Sequence, residues 1–404
     1  MNTKRERYDT MNTNKKLLIL GAGIGGLSVI KELTDSGVTL DDLDITVVDK
    51  DFSHFLGFTL PWVMRGWRNQ DSVPIRPTPE ALSGLTTVTG SVRGVDPVSR
   101  TVTLADSTEL PFDALVIATG ARNAIDKVPG LRAAVDTGIA VHYYSADAAA
   151  DAHRALQSFS GGKLVFLVTS QPFRCPPAPY EGALLAADLL GENGSRAATQ
   201  ISVYSPEKQP MLSAGPYAGS ELVALLNAEG IDFFGEYSVA SVDADKRVVE
   251  FQDGTTVEFD LLVFVPPHEP AVTLDGPGWI PVDASTMQTR HPGIFAIGDT
   301  TAITSPSGRP LPKAAIFAKN GAKAAAENAL HYLGKTDRIG ALSGRGYCYV
   351  DTGTHASALG EGDFFTLPHP AIHLSAPSEE LHHAKQHEEQ DWRAHWEYEA
   401  RATR

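Results

Sequence analysis

Cysteine is scarce in this chain: Cys175 and Cys348 are the only two in 404 residues. That excludes a scaffold built on disulfides and any cysteine-rich zinc or iron-sulfur site. Long apolar runs are missing too, since no hydrophobic stretch approaches the roughly 20 residues of a membrane helix. Lys15-Lys16 ahead of Leu17-Leu-Ile-Leu has the outline of an export signal, but the run is short, ends in glycine and reads as a strand. A cytoplasmic protein is expected, at most peripheral on the inner face of the membrane. Clustered basic charge is absent, and 34 Lys and Arg against 49 Asp and Glu give a formal net charge of -15. Nucleic acid is therefore not an expected partner. With 42% hydrophobic and 21% charged residues, the composition is that of a globular protein long enough for two or three domains. Met1-Asn-Thr and Met11-Asn-Thr-Asn read as a polar arm or an alternative start outside the fold.

A second glycine loop is lacking as well, and that absence shows against an internal repeat. Lys16-Leu-Leu-Ile-Leu-Gly21 and Lys163-Leu-Val-Phe-Leu-Val168 are matching apolar strands, each leading through a turn into an alanine- and leucine-containing helix. The halves also end alike, in Phe112-Asp-Ala-Leu-Val-Ile-Ala and Phe259-Asp-Leu-Leu-Val-Phe-Val. Two tandem βαβ domains explain this. In the first, Gly21-Ala-Gly23-Ile-Gly-Gly26 follows a strand and opens a helix, and Ile45-Thr-Val-Val-Asp49 ends in a carboxylate where a ribose hydroxyl partner belongs. In the second, the turn reads Thr169-Ser-Gln-Pro-Phe-Arg-Cys175-Pro-Pro-Ala-Pro-Tyr-Glu181, with Val168 and Ser170 roughly where Gly21 and Gly23 fall. A thiol stands where a phosphate cradle is expected.

Which dinucleotide the first loop holds is read further on. Ala118-Thr119-Gly120 closes one strand, and Thr289-Arg-His-Pro-Gly-Ile-Phe-Ala-Ile-Gly298-Asp299 delivers a carboxylate at the end of another. This pair of segments resembles the FAD-binding pattern of the two-dinucleotide-domain flavoprotein reductases, which implies FAD held by Gly21, Gly23, Gly26, Asp49, Thr119, Gly120, Gly298 and Asp299. Next comes Pro310-Leu-Pro312-Lys313 and a strong helix former. In this fold such a helix aims its N-terminus at the flavin, where Lys313 would stabilise the reduced ring; a solvated lysine is the alternative.

Cys175 precedes a helical segment, Tyr180 to Leu190, which predicts a lowered thiol pKa. Cys348 lies in a strand, Gly346-Tyr-Cys-Tyr-Val-Asp, and spacing alone leaves open whether the two meet or are unrelated buried thiols. At Cys175-Pro-Pro-Ala-Pro-Tyr-Glu181, Phe58-Thr-Leu-Pro61-Trp62, Pro266-Pro267-His268, Leu311-Pro312-Lys313 and Gly346-Tyr-Cys348-Tyr-Val the chain resembles the sulfide:quinone oxidoreductases and the flavoprotein subunit of flavocytochrome c sulfide dehydrogenase. The resemblance covers residues 16–365. It implies that Cys175 and Cys348 meet as a redox pair beside FAD, the persulfide forming on Cys175 and Cys348 attacking the flavin. Quinone is the implied acceptor, and Glu181 is either a proton carrier or a helix first-turn carboxylate.

Two departures stand beside the resemblance. Many quinone-linked members carry a third cysteine where Gly138-Ile-Ala-Val-His142 has none, and this chain has no Cys-x-x-Cys-His haem site of its own. Rival readings are a type II NADH:quinone-like NAD(P)H-linked flavoprotein, and a non-catalytic flavin redox sensor. The expected fold is α/β with two Rossmann-like domains, the second inserted in the first. An FAD domain spans 15–122 and 280–332, a second domain 123–279, and a C-terminal domain with a polar helical tail 333–404. In that tail His383, His387, Asp391 and His395 share one face. A solvated helix is favoured there over a metal site, and no metal is expected. Any quinone is expected to approach beside Phe364 to Ile372.

Overall fold

The computed structural model describes residues 14–398; the suspected N-terminal arm, up to residue 13, lies outside them. In chain order the elements that frame the site are β1 (Lys15–Leu20), α1 (Ile24–Asp35), β2 (Leu43–Asp49), α2 (Leu60–Arg65), β3 (Thr86–Thr89), β4 (Ala114–Ile117), β5 (Ala140–Val141) and β6 (Gly162–Val168). They continue with α3 (Ala178–Glu192), β7 (Thr199–Tyr204), α4 (Pro216–Ala228), β8 (Ile231–Phe234), β9 (Leu261–Val265), β10 (Ile294–Ala296), α5 (Ala315–Tyr332), β11 (Arg345–Gly353), β12 (Ala356–Asp363) and α6 (Glu379–Trp396).

Two parallel sheets result, and they are copies of one plan. The first runs β10-β4-β1-β2-β3 and the second β8-β7-β6-β9-β5. Leu17 pairs with Ala114 and Leu20 with Val48 in the first, while Leu164 pairs with Leu261 and Leu167 with Tyr204 in the second. Superposing those registers sets Val168 on Gly21, Ser170 on Gly23 and Ser205 on Asp49. Each half adds a three-stranded antiparallel sheet, at Val92–Asp96, Thr101–Leu104 and Glu109–Pro111, and at Val239–Asp243, Val248–Phe251 and Thr256–Glu258.

The central strands read as near-continuous apolar runs because both faces of each parallel sheet are covered, one by helices and the other mainly by the antiparallel sheet of its own half. All four residues of β4 are fully buried, as are Leu17, Ile19 and Leu20 of β1. The fifth strand of the first sheet, β10, arrives after the whole second sheet has been built, so the second unit is inserted in the first. The hairpin β11–β12 then packs on α3, and α6 packs on the hairpin.

Candidate active site

Parallel α/β sheets open at the carboxyl ends of their strands, and the site lies there. One cavity of about 340 Å³ runs from Gly21, Gly23 and Asp49, past Thr119, Gly120, Asp299 and Lys313, to Cys175, Cys348, Glu181 and Lys385. Of the sequence-predicted site residues, Gly26 alone is not on its lining. Its role is packing, since a Cβ there would stand 1.8 Å from the Gly21 carbonyl oxygen.

The glycine loop is shaped to receive a bulky anion. Gly21 has φ +97°, a conformation that L side chains rarely adopt, and a Cβ on it would lie 2.5 Å from the Ala118 carbonyl oxygen. At Gly23 a Cβ would meet nothing within 4 Å, so the loop is open on that side. Asp49 accepts from the Ala22 amide at 2.7 Å and from Phe52 at 3.0 Å, which fixes the strand end to the loop. A carboxylate has about four lone-pair sites, so capacity for a ribose hydroxyl remains. Thr119 Oγ1 and Arg174 Nε are buried with no protein partner, and both residues line the cavity. Unpaired buried polar atoms mark a place for a polar ligand. These features fit a dinucleotide lying along the cavity.

Lys313 lines the cavity and is bound to the protein's own backbone. Its Nζ donates to the Asp299 and Thr301 carbonyls at 2.8 and 2.9 Å and sits 3.6 Å from the centre of the Trp279 ring. Burial lowers its pKa to about 8, with Asp299 opposing. The ammonium thus ties the Asp299 turn together at the cavity wall and is not a solvated lysine. Asp299 itself is raised by burial, with Lys313 and Arg174 pulling the other way.

The Cys175 loop docks on the same segment. Cys175 has φ +59°, unusual for a residue with a Cβ. Its amide donates to the Lys313 carbonyl at 2.8 Å, while its own carbonyl accepts from Ala178 at the start of α3. Cys348 comes from β11, paired with Gly360. Both sulfurs are free thiols, half-buried on the cavity wall. The lowered pKa predicted for Cys175 is overturned: burial pushes its thiol well above the ordinary range, Cys348 adding to the effect. Burial takes Cys348 up to about 12. Desolvation outweighs proximity to the helix start, because both thiols face a low-dielectric wall.

One cation works against that rise at both sulfurs, and it is Lys385 of α6. Its Nζ donates to Glu181 Oε1 at 2.6 Å and to Asp351 Oδ2 at 2.7 Å. The side chains of Lys385, Glu181 and Asp351 are no more than 1% exposed. Asp351 is held further by Trp62 Nε1 at 2.5 Å, by the Ser357 hydroxyl and by His382 Nδ1 at 2.9 Å. Burial works to raise Asp351, but the Lys385 charge and these bonds hold it below the usual carboxylate range. Lys385 is raised, its two carboxylates overcoming burial. Glu181 keeps the weaker share: burial takes it up to about 7 against the pull of Lys385.

The expectation of a solvated polar helix holds for one face of α6 only. The other face is sunk into the protein through His382, Lys385, Glu389 and Trp396, and Trp392 Nε1 donates to His54 of the cavity wall at 2.9 Å. His383, His387, Asp391 and His395 occupy the exposed face, and among the described residues no cluster could hold a metal ion. Phe364 to Ile372 is absent from the cavity lining: Phe364 packs edge-on against Phe317 of α5, and the Ile372 amide donates to the Ala214 carbonyl, just ahead of α4, at 3.3 Å. Sequence reasoning missed Lys385 and Asp351. The signal available was a lysine at helical spacing from His382, Glu389 and Trp396, on a face that charge alone assigns to solvent.

The comparisons with known proteins bear on the same features. Residues 15–165 match the pyridine nucleotide-disulphide oxidoreductase family model, and residues 152–266 match the central part of the flavocytochrome c sulfide dehydrogenase flavoprotein chain. The sulfide-quinone reductase of Aquifex aeolicus is 26% identical over 379 residues, 88% of this chain and 84% of that one. A probable ferredoxin reductase of Castellaniella defragrans is 30% identical over 317 residues, 75% of this chain and 70% of its own. Among solved structures, the sulfide:quinone oxidoreductase of Aquifex aeolicus superposes with a TM-score of 0.81 at 20% identity, covering 94% of this chain and 91% of that one.

Proposed function

The chain belongs to the pyridine nucleotide-disulphide type of flavoprotein, in the family of the sulfide:quinone oxidoreductases and flavocytochrome c sulfide dehydrogenase flavoproteins, and is an FAD-dependent oxidoreductase; on that premise we propose that it oxidises sulfide through Cys175 and Cys348 and passes the electrons to a quinone. The observation that carries this reading is that the only two cysteines in the sequence line the cavity that carries the glycine cradle.

Gly21, Gly23, Asp49, Thr119, Gly120 and Asp299 would hold FAD, with Lys313 fixing the Asp299 turn. Bound FAD supplies a two-electron sink between the sulfur and the acceptor. The chain's own part begins from the disulfide of Cys175 and Cys348, two electrons and two protons more oxidised than the free thiols of the structure. Hydrosulfide attacks the Cys175 sulfur, a new S–S bond forms there, and the bond to Cys348 breaks with its electron pair left on Cys348. Glu181, ionised above about pH 7, takes the proton of the new persulfide. Lys385 stands as a fixed cation beside the Cys348 thiolate, where burial alone would oppose that charge.

The test is anaerobic reduction of the bound flavin. Sulfide is expected to bleach it rapidly while NADH and NADPH do not, and Cys175→Ser and Cys348→Ser should each remove the sulfide reaction while retaining FAD. Rapid bleaching by NADH with none by sulfide would overturn the reading in favour of the NAD(P)H-linked alternative. Bleaching by sulfide without catalytic turnover would favour the redox sensor.

A further inference from the structure

Beyond the cysteines, the cavity wall carries an acid-base cluster for which the sulfur chemistry has no use. Tyr347, next to Cys348 on β11, donates its hydroxyl to Glu388 Oε1 at 2.9 Å. Lys319 Nζ, from α5, donates to the same oxygen at 2.7 Å. Glu388 follows Lys385 by three positions on α6, so both reach one face of the helix, and Tyr347, Tyr349 and Glu388 all line the cavity. The side chains of Lys319 and Glu388 are 26% and 20% exposed, so the cluster runs from cavity to solvent. Its neighbour Glu389 is committed elsewhere, to Arg68 and Arg393. Burial and the Glu388 carboxylate raise the Tyr347 phenol far above its usual range, so it stays a hydroxyl that can hand on a proton without carrying charge.

We propose that Glu388, acting through the Tyr347 hydroxyl, delivers the protons of the acceptor half-reaction, and that this wall is where a quinone is reduced. The proposal rests on the FAD-dependent reading above. Converting a quinone to a quinol takes two electrons, supplied by the reduced cofactor, and two protons, supplied by solvent. The Tyr347 hydroxyl gives its proton to a quinone oxygen while a proton arriving from solvent by way of the Glu388 carboxylate restores it, and a second passage completes the quinol. The exposed side of the Lys319–Glu388 pair lets solvent reprotonate the carboxylate between passages. The Glu181–Lys385–Asp351 network is committed to its own ion pairs, with side chains no more than 1% exposed, and belongs to the sulfur side. A one-electron protein carrier takes up no proton and would leave the cluster without a task.

The experiment starts from FAD-loaded enzyme reduced chemically with dithionite, then mixed either with a water-soluble benzoquinone or with ferricyanide, which accepts electrons without protons. In Glu388→Gln and in Tyr347→Phe the ratio of the benzoquinone rate to the ferricyanide rate is expected to fall by about tenfold or more, and the quinone rate to lose its pH dependence. A second readout needs no turnover. Binding of an ionised hydroxynaphthoquinone, followed by tryptophan fluorescence, should tighten roughly tenfold in Glu388→Gln because one repelling charge leaves the wall, with neutral naphthoquinone unaffected. An unchanged rate ratio in both variants, or unchanged binding of the anion, would overturn the proposal. Chemical reduction bypasses sulfide, so a protein inert to sulfide would sink the preceding section's reading while leaving this test intact.

Discussion

Lys385 is the residue whose loss should be felt most widely. It neutralises two buried carboxylates, and removing one member of such a buried set costs about 3–5 kcal/mol because the remaining charges stay desolvated. Lys385→Met should therefore lower the urea midpoint of the protein markedly, and Lys385→Met combined with Asp351→Asn should recover part of the loss. A single replacement without effect on the midpoint would show that the network is not the closed ion cluster described. Glu207 gives a cleaner pH dependence. Tyr180 donates to it at 2.9 Å, and burial takes its carboxyl from an ordinary 4.5 up to about 7. The folded state then holds the proton more tightly than the unfolded chain, so this contribution is full below about pH 4.5 and is lost as pH rises through about 7. At about 1.4 kcal/mol per pKa unit, the swing is on the order of 3 kcal/mol. Stability of Glu207→Gln measured from pH 4 to 8 should lack that decline. The cysteines, the glycine loop and Glu181 were legible because each sits in a local pattern with its own chemistry. Lys385 was not, since its meaning comes from Glu181, 204 residues away in sequence.

Among the elements, α6 departs furthest from what its sequence suggests. Its helical form is plain: Ser378 caps it by accepting from Leu381, and Glu379 and Glu380 favour the positive end. What could not be read was the side that faces inward. A buried helix face is expected to be apolar, and this one presents His382, Lys385 and Glu389 to the interior. The helix is held along its length, through Arg393 to the Ser72 and Val73 carbonyls, through Trp396 to the Thr78 amide, and through Trp392 to His54. A chain ending at Ala376 should consequently lose sulfide-driven bleaching altogether and should melt at a lower temperature. Full bleaching by that shortened chain would show that Lys385 is dispensable for the sulfur chemistry. Among the described residues no helix is long and apolar enough to cross a membrane.

At the level of the whole molecule, one βαβ plan is used twice and only one copy keeps a nucleotide cradle. The repeat was visible in sequence because matching apolar strands recur with matching endings. The filling of the second cleft was hidden, because it depends on side chains meeting across the turn. In the first copy Gly21 opens the loop and Asp49 ends the neighbouring strand. In the second, Val168 and Ser205 hold those positions by register, and the fully buried Tyr180 puts its hydroxyl 3.4 Å from Ser205 and within reach of Glu207. A tyrosine hydroxyl thus takes the place at the strand end that a ribose hydroxyl takes in a dinucleotide domain. Missing glycines are then only part of why the second copy should not hold NADH; the space beside them is occupied by the first turn of α3, which carries Glu181 and follows directly on the Cys175 loop. Restoring the loop with Val168→Gly and Ser170→Gly should therefore leave NADH binding undetectable by fluorescence titration, even in protein that still holds FAD. Binding in the micromolar range by that double variant would mean that the two glycines alone decide the matter and that Tyr180 is no obstacle.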